Sequence, residues 1–230
     1  MKPISLLIFD LDGTLVDTLD DITASVNDTL ERLGKEPLTR DRVRHLVGDG
    51  VEVLLARALA VPRAPEQAVS LYKAHHRAHL AVHSRLYPGV REALEQFSAI
   101  PLVVISNKTS EFVRPLLDRF GIGRYFADAL GADSGLPLKP APDLVLRALS
   151  RFAVPKEAAA IVGDGTTDMR AGKAAGIATC AVTYGFRSEQ ELRQAGPDHV
   201  LRSLNELQTL FRPVPAAQAG RRGEADVSCS

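Results

Sequence analysis

Four short apolar runs, each closed by small or polar residues, limit what this chain can fold into. Leu6-Leu-Ile-Phe9 leads into Asp10, Leu102-Val-Val-Ile105 into Ser106-Asn107, Ala158-Ala-Ala-Ile-Val162 into Gly163-Asp164, and Thr179-Cys-Ala-Val182 into Thr183-Tyr184-Gly185. Such runs, rich in Val and Ile and apolar on both faces, read as central strands of a parallel sheet. Helical patterns lie between them, over Gly89–Phe97, Ser110–Phe120, Asp143–Phe152 and Met169–Ala175. This alternation predicts a doubly wound α/β domain. Ligands of such sheets bind beyond the carboxyl ends of the strands. The polar residues closing the runs are therefore expected to share one edge.

The stretch after the first strand breaks the alternation. Thr18–Leu33, Thr39–Leu59 and Ala64–Val82 look helical, separated by Gly34-Lys-Glu-Pro37 and Val61-Pro-Arg63. An all-helical insert over residues 16–84 is expected to overhang the edge, leaving residues 1–15 and 85–212 to the α/β core. Residues 213–230, rich in Ala, Gly, Pro, Arg and Ser without apolar periodicity, are expected to form a mobile tail.

Composition removes several classes. Lys and Arg together number 28, as do Asp and Glu, so no basic excess points to nucleic acid or a membrane surface. Cys180 lies in an apolar run and Cys229 in the polar tail, so neither a disulfide framework nor a CxxC metal site is expected. No apolar run approaches the ~20 residues that span a bilayer, and no signal-peptide pattern opens the chain. A cytoplasmic monomer or homodimer is the expectation.

The first strand ends in Asp10-Leu-Asp12, and burying two carboxylates together is costly unless something positive joins them. Their spacing in an extended chain projects them to one side. Gly13 and Thr14 then permit a tight turn with exposed N–H groups suited to an anion. One carboxylate can attack phosphorus to form an aspartyl-phosphate. The other can protonate the leaving oxygen and later take a proton from water. Asp164 adds a third carboxylate, a hard oxygen ligand that suits Mg²⁺. Asp168 could support that cation or cap the following helix, and Ser106 and Asn107 could donate to a phosphoryl oxygen or cap theirs. Lys139, between Leu138 and Pro140, is the best-placed counter-charge, or else a solvated loop lysine.

In this order the residues resemble the haloacid dehalogenase superfamily of phosphotransferases. Its DxDGT motif is matched by Asp10-Leu-Asp-Gly-Thr14, its strand ending in Ser or Thr by Val104-Ile-Ser106, its lysine by Lys139-Pro140, and its GDxxxD by Gly163 to Asp168. The resemblance implies a Rossmann-like core with Asp10 as nucleophile and Asp12 as general acid/base. It implies Mg²⁺ held by Asp10, the backbone carbonyl of Asp12, and Asp164, with Asp168 behind them. Ser106 and Lys139 would bind the transferred phosphoryl group, and the helical insert would be a mobile cap that excludes water.

Within the superfamily the chain is most similar to phosphoglycolate phosphatases, through Leu15-Val-Asp-Thr18, His45-Leu-Val-Gly-Asp-Gly50, Tyr87-Pro-Gly89, Ser106-Asn-Lys108 and Pro197-Asp-His-Val-Leu201. Gly165 departs from the Ser that many relatives carry after the first Asp of the fourth motif. A small phosphorylated metabolite, 2-phosphoglycolate, is the implied substrate. Gly48 and Gly50 are expected to bring backbone N–H groups over it, and Arg44 to meet its carboxylate. A sugar-phosphate phosphatase or a hexose-phosphate mutase is the alternative, though a mutase usually carries a histidine where Ile22 stands. A phosphonate hydrolase would need a cap lysine, a dehalogenase would not keep Asp12, and a non-enzymatic binding protein would lose the carboxylates.

Overall fold

The computed structural model describes residues 1–215. The chain enters through β1 (Lys2–Ile4) and, after Ser5, β2 (Leu6–Phe9). Every residue of β2 is buried. Leu6 and Ile8 join the apolar cluster on one face of the sheet, while Leu7 and Phe9 join the cluster on the other. That division by parity is what a strand covered on both sides requires.

A short β3 (Val16–Asp17) leads into the helical insert: α1 (Leu19–Arg32), α2 (Arg40–Leu46), α3 (Val51–Leu59) and α4 (Glu66–Ala78). The chain returns through β4 (Arg85–Leu86), which pairs antiparallel with β3, so both crossings between insert and core form one ribbon. The single helix expected over Thr39–Leu59 is two helices. Gly48 and Gly50, at φ +127° and +91°, turn the chain between α2 and α3 in a conformation other residues rarely adopt. The insert has its own apolar core, including Ile22, Val26, Leu55 and Tyr72, and Phe186 of the α/β domain is buried within it.

The remaining elements alternate: α5 (Val90–Gln96), β5 (Leu102–Ile105), α6 (Ser110–Arg119), β6 (Phe126–Leu130), α7 (Asp143–Phe152), β7 (Ala159–Gly163), α8 (Thr166–Ala175), β8 (Ala178–Val182), α9 (Glu189–Gln194) and β9 (His199–Leu201). Six parallel strands in the order β6-β5-β2-β7-β8-β9 form the sheet, with Leu144, Val145 and Ala171 on one face and Val90, Val113 and Leu116 on the other. This is the doubly wound architecture the four apolar runs predict. The edge strands β6 and β9 escape that pattern because one carries Asp128 and the other has three residues.

After α10 (Leu207–Leu210), β10 (Phe211–Pro213) pairs with β1, and Val214 N donates to Ile4 O at 2.7 Å. Pro213 therefore belongs to the folded domain and not to the tail assigned to 213–230. Residues 216–230 of that tail lie outside the described residues. Among the described residues, no helix is long and apolar enough to cross a membrane.

Candidate active site

Strand register gathers the site. Phe9 lies opposite Val104 on one neighbour and Val162 on the other, so Asp10, Ser106 and Asp164 leave adjacent strands at nearly one level. Gly13 turns the chain at φ +83°, and a Cβ there would fall 2.2 Å from Asp164 Oδ2, so the close approach of these two segments requires glycine. Thr14 is fully buried: its Oγ1 donates to Asp164 Oδ1 at 3.1 Å and accepts from Asp164 N at 3.0 Å. Phe186 N donates to Asp164 Oδ2 at 2.6 Å. The Thr14 hydroxyl therefore ties the first motif to the fourth, and the N–H groups expected to be exposed to an anion are taken, Gly13 N donating to Val16 O at 2.8 Å and Thr14 N to Leu11 O at 3.3 Å, which corrects the assignment of Thr14 as a substrate contact.

Lys139 is buried, not the solvated loop residue its setting allows. Its Nζ lies 2.9 Å from Asp10 Oδ1, 2.6 Å from Asp168 Oδ1 and 2.8 Å from Ile105 O, which uses all three hydrogens. Burial opposes its charge, but Asp10 and Asp168 outweigh that and hold its pKa above the ordinary lysine value. Asp168 takes the expected cap role, its Oδ2 accepting from Gly165 N at 3.0 Å at the start of α8, while its Oδ1 meets Lys139. A Cβ at Gly165 would stand 2.9 Å from that oxygen, so this chain's departure at Gly165 leaves room for the bond.

Asp10 and Asp164 remain proton-hungry. Burial, partly offset by Lys139, pushes the Asp10 carboxyl up to about 7. Burial and the Asp10 charge push Asp164 up to about 8. Oxygens of Asp10, Asp164 and Asp168 lie within 4.8 Å of one another. With Asp12, four carboxylates face, among the described residues, the ammonium groups of Lys139 and Lys108. A cluster of hard oxygens in negative excess fits a divalent metal.

Asp12 is held differently. Thr18 Oγ1 donates to its Oδ1 at 2.6 Å, and Lys108 Nζ lies 3.2 Å from both of its oxygens. It is not one of the three clustered carboxylates and, with Asp10, Ser106 and Lys108, lines a cavity that Ile22, Leu54 and Tyr72 of the insert also line. Ser106 Oγ also lines it, accepting from Lys108 N at 3.2 Å.

Other expectations meet a different arrangement. Asn107 spends its amide donors on Gly48 O at 2.9 Å and Lys139 O at 2.8 Å, and its Oδ1 accepts from Lys139 N. It joins the insert to the core and is not free to donate to a phosphoryl group. Gly48 and Gly50 line the cavity, but Gly48 meets the core through its carbonyl rather than its N–H. Arg44 turns away: its guanidinium pairs with Asp41 at 2.8 Å and lines a separate depression beside Tyr87 and Tyr184. The cation at that place is Arg187, which follows β8 and donates to Arg44 O at 3.0 Å and to Val47 O. Arg187, Lys108 and Phe112 line the cavity without having been singled out for a role. For two of them the strand-end rule held the signal, since Lys108 follows β5 by three residues and Arg187 follows β8 by five.

A family model described as haloacid dehalogenase-like hydrolase matches residues 7–182. The chain is a haloacid dehalogenase-like hydrolase. Among members of this family, phosphoglycolate phosphatase 1 of Pseudomonas aeruginosa is 35% identical over 213 residues, covering 88% of this chain and 78% of that protein. The phosphoglycolate phosphatase of Colwellia psychrerythraea is 34% identical over 212 residues, covering 87% of this chain and 94% of that protein. The crystal structure of a protein from Haemophilus somnus 129pt, described as a predicted phosphoglycolate phosphatase, superposes with a TM-score of 0.84 at 28% identity. It covers 91% of this chain and 99% of that one. The hydrolase assignment thus agrees with the carboxylate edge.

Proposed function

We propose that this hydrolase is a Mg²⁺-dependent phosphomonoesterase for a small carboxylated phosphate ester, 2-phosphoglycolate, working through a phosphoryl group carried by Asp10. The observation that carries the reading is the division of labour between Asp10 and Asp12. The first is fixed by Lys139 beside Asp164, and the second is held apart by Thr18 and Lys108 on the cavity side. The names of the relatives supply the substrate.

Asp10 Oδ attacks phosphorus as the ester oxygen departs, and Asp12 gives that oxygen a proton. A water then attacks the aspartyl-phosphate, Asp12 takes its proton, and Asp10 is regenerated as inorganic phosphate leaves. Ser106 is free to donate its hydroxyl to a phosphoryl oxygen, and Lys139 offsets the charge around it. Asp10, Asp164 and the backbone carbonyl of Asp12 would hold Mg²⁺, with Asp168 behind them. When bound, that ion would supply positive charge against the phosphoryl oxygens. The helical insert acts as the cap that excludes water.

Ile22 favours hydrolysis over phosphoryl exchange, because the cap position where a mutase carries a base is an apolar side chain facing the cavity. The test is turnover of 2-phosphoglycolate and sugar phosphates with Mg²⁺, scored for free phosphate and for isomerised product. Phosphate release from 2-phosphoglycolate that chelation abolishes is expected. Isomerised sugar phosphate as the main product would overturn the reading.

A further inference from the structure

The carboxylate of the substrate needs a cation, and only two line the cavity among the described residues: Lys108 and Arg187. Arg187 spends two of its five N–H donors on the cap, on the carbonyls of Arg44 and Val47, and no contact ties it to Asp12, the group that must reach the ester oxygen. Lys139 has no hydrogen to spare. Asp49, the acidic residue of the cap loop, is itself paired with Arg57 at 2.6 Å.

Lys108 stands differently. Its Nζ is 3.2 Å from each Asp12 oxygen, longer than the roughly 2.7–2.9 Å of a tight ammonium–carboxylate bond. Its side chain is 8% exposed, so the ammonium is largely removed from water. Phe112 and Tyr72 line the same cavity and lower the local polarity, which strengthens any ion pair formed there. A general acid must come within about 2.6–3.2 Å of the oxygen it protonates. In 2-phosphoglycolate the carboxylate sits on the carbon that bears that oxygen. A cation that touches Asp12 therefore already lies within reach of the carboxylate.

We propose that Lys108 is the specificity residue of this enzyme: its ammonium binds the substrate carboxylate and selects esters whose phosphoryl oxygen and carboxylate share one carbon. This rests on the phosphatase reading above and narrows its substrate to the 2-phospho-oxy carboxylates. Selectivity is thereby built into the core strand end that also carries Ser106, while the cap supplies closure.

The test compares kcat/KM for 2-phosphoglycolate and for 2-hydroxyethyl phosphate, which replaces the carboxylate by a neutral CH₂OH. Wild type is expected to prefer the carboxylate strongly. Lys108→Met and Lys108→Gln should lower that preference by about 10²-fold, the range for removing one partner of a buried charge pair. Any loss through Asp12 should fall on both esters alike, and Lys108→Arg should restore part of the preference. Circular dichroism of each variant identifies a folding failure, and the isosteric pair Met and Gln gives two chances to keep the fold. A preference unchanged in a folded Lys108→Met protein overturns the proposal, as does its collapse in Arg187→Met alone. Wild type without a preference removes the carboxylated substrate itself, so the two readings fail separately.

Discussion

Lys139 joins Asp10 and Asp168 through a single buried ammonium, at 2.9 and 2.6 Å, and spends its last hydrogen on Ile105 O. Removing one partner of such a cluster leaves the others charged and unpaired. Lys139→Met should therefore cost about 3–5 kcal/mol of stability, read from urea unfolding. Activity should fall with it even where the protein remains folded, because Asp10 loses the group that fixes its carboxylate. Lys139→Arg should not restore turnover, since a planar guanidinium cannot place its donors where one tetrahedral ammonium reaches three oxygens. A stable, fully active Lys139→Met protein would contradict both halves.

The two carboxylates of the first motif should fail in different ways. Asp10→Asn is expected to abolish turnover with the fold intact, because an amide cannot accept the phosphoryl group. Asp12→Asn should slow the reaction by about 10²–10⁴-fold, the range for lost general acid–base catalysis. Added Mg²⁺ should not repair it, whereas Asp164→Ala should recover partly as the metal concentration rises. Steady-state rates across a Mg²⁺ titration distinguish these outcomes. Rescue of Asp12→Asn but not of Asp164→Ala would reverse the assignment.

How much of this was readable in the sequence follows from where each signal resides. Fully buried strands advertise themselves, and their ends named Asp10, Asp12, Ser106 and Asp164 because register, not sequence distance, brings them together. Edge strands are half solvated, so β6, interrupted by Asp128, and β9, only three residues long, left no run to find. Lys139 could be suspected but not shown to be buried, since its partner Asp168 lies 29 residues later. Arg44 misled for a physical reason. Helical spacing gives its distance from Gly48 but not the direction of its face, and Asp41 three residues earlier captures the guanidinium. Thr14 and Asn107 were right as members of the edge and wrong as free donors, because hydrogen-bond saturation is a property of three-dimensional partners.

Protonation of the carboxylate cluster gives a pH signature for metal binding. Burial pushes the Asp10 and Asp164 carboxyls up to about 7 and about 8, against 3.8 ordinarily. Both pKa values are raised, so their contribution to stability is present at low pH and is lost as pH rises through the folded values. Metal requires the ionised forms, so affinity should climb over the same interval with release of protons. The rise in thermal midpoint on adding Mg²⁺ should therefore be larger at pH 8.5 than at pH 5.5. His76 acts in the opposite sense: burial holds it neutral, its pKa pushed down to about 2, so acid destabilises the fold with or without metal. Taking the difference between metal-bound and metal-free midpoints cancels that contribution. Equal rises at both pH values would exclude the raised carboxyls as the metal's competitors.

Cap closure should depend on Asn107, a side chain that spans both parts of the molecule. Its amide donates to Gly48 O in the cap loop and to Lys139 O in the core, while its Oδ1 accepts from Lys139 N. Asn107→Asp keeps the acceptor and the shape but replaces the NH₂ that makes both donations by one carboxylate oxygen facing two carbonyls. The lost bond to Gly48 O should loosen the cap, and the lost bond to Lys139 O should disturb the segment that positions the Lys139 ammonium. The expected result is a loss of about 10-fold or more in kcat/KM, as for other misplaced closing elements. Faster amide exchange over Val47–Val51 should accompany it, with little change in exchange within β2 and β7. Gly50→Ala attacks the same contact from the other side. A Cβ there would meet Asn107 O at 3.3 Å with the backbone at φ +91° and ψ 166°, a region essentially confined to glycine that costs another residue about 1–3 kcal/mol. Because Arg187 also donates to Val47 O, Asn107→Asp combined with Arg187→Met should loosen the loop more than either change alone. Full protection of Val47–Val51 in that double variant would show that the apolar seat of Phe186, rather than this polar clamp, holds the cap down.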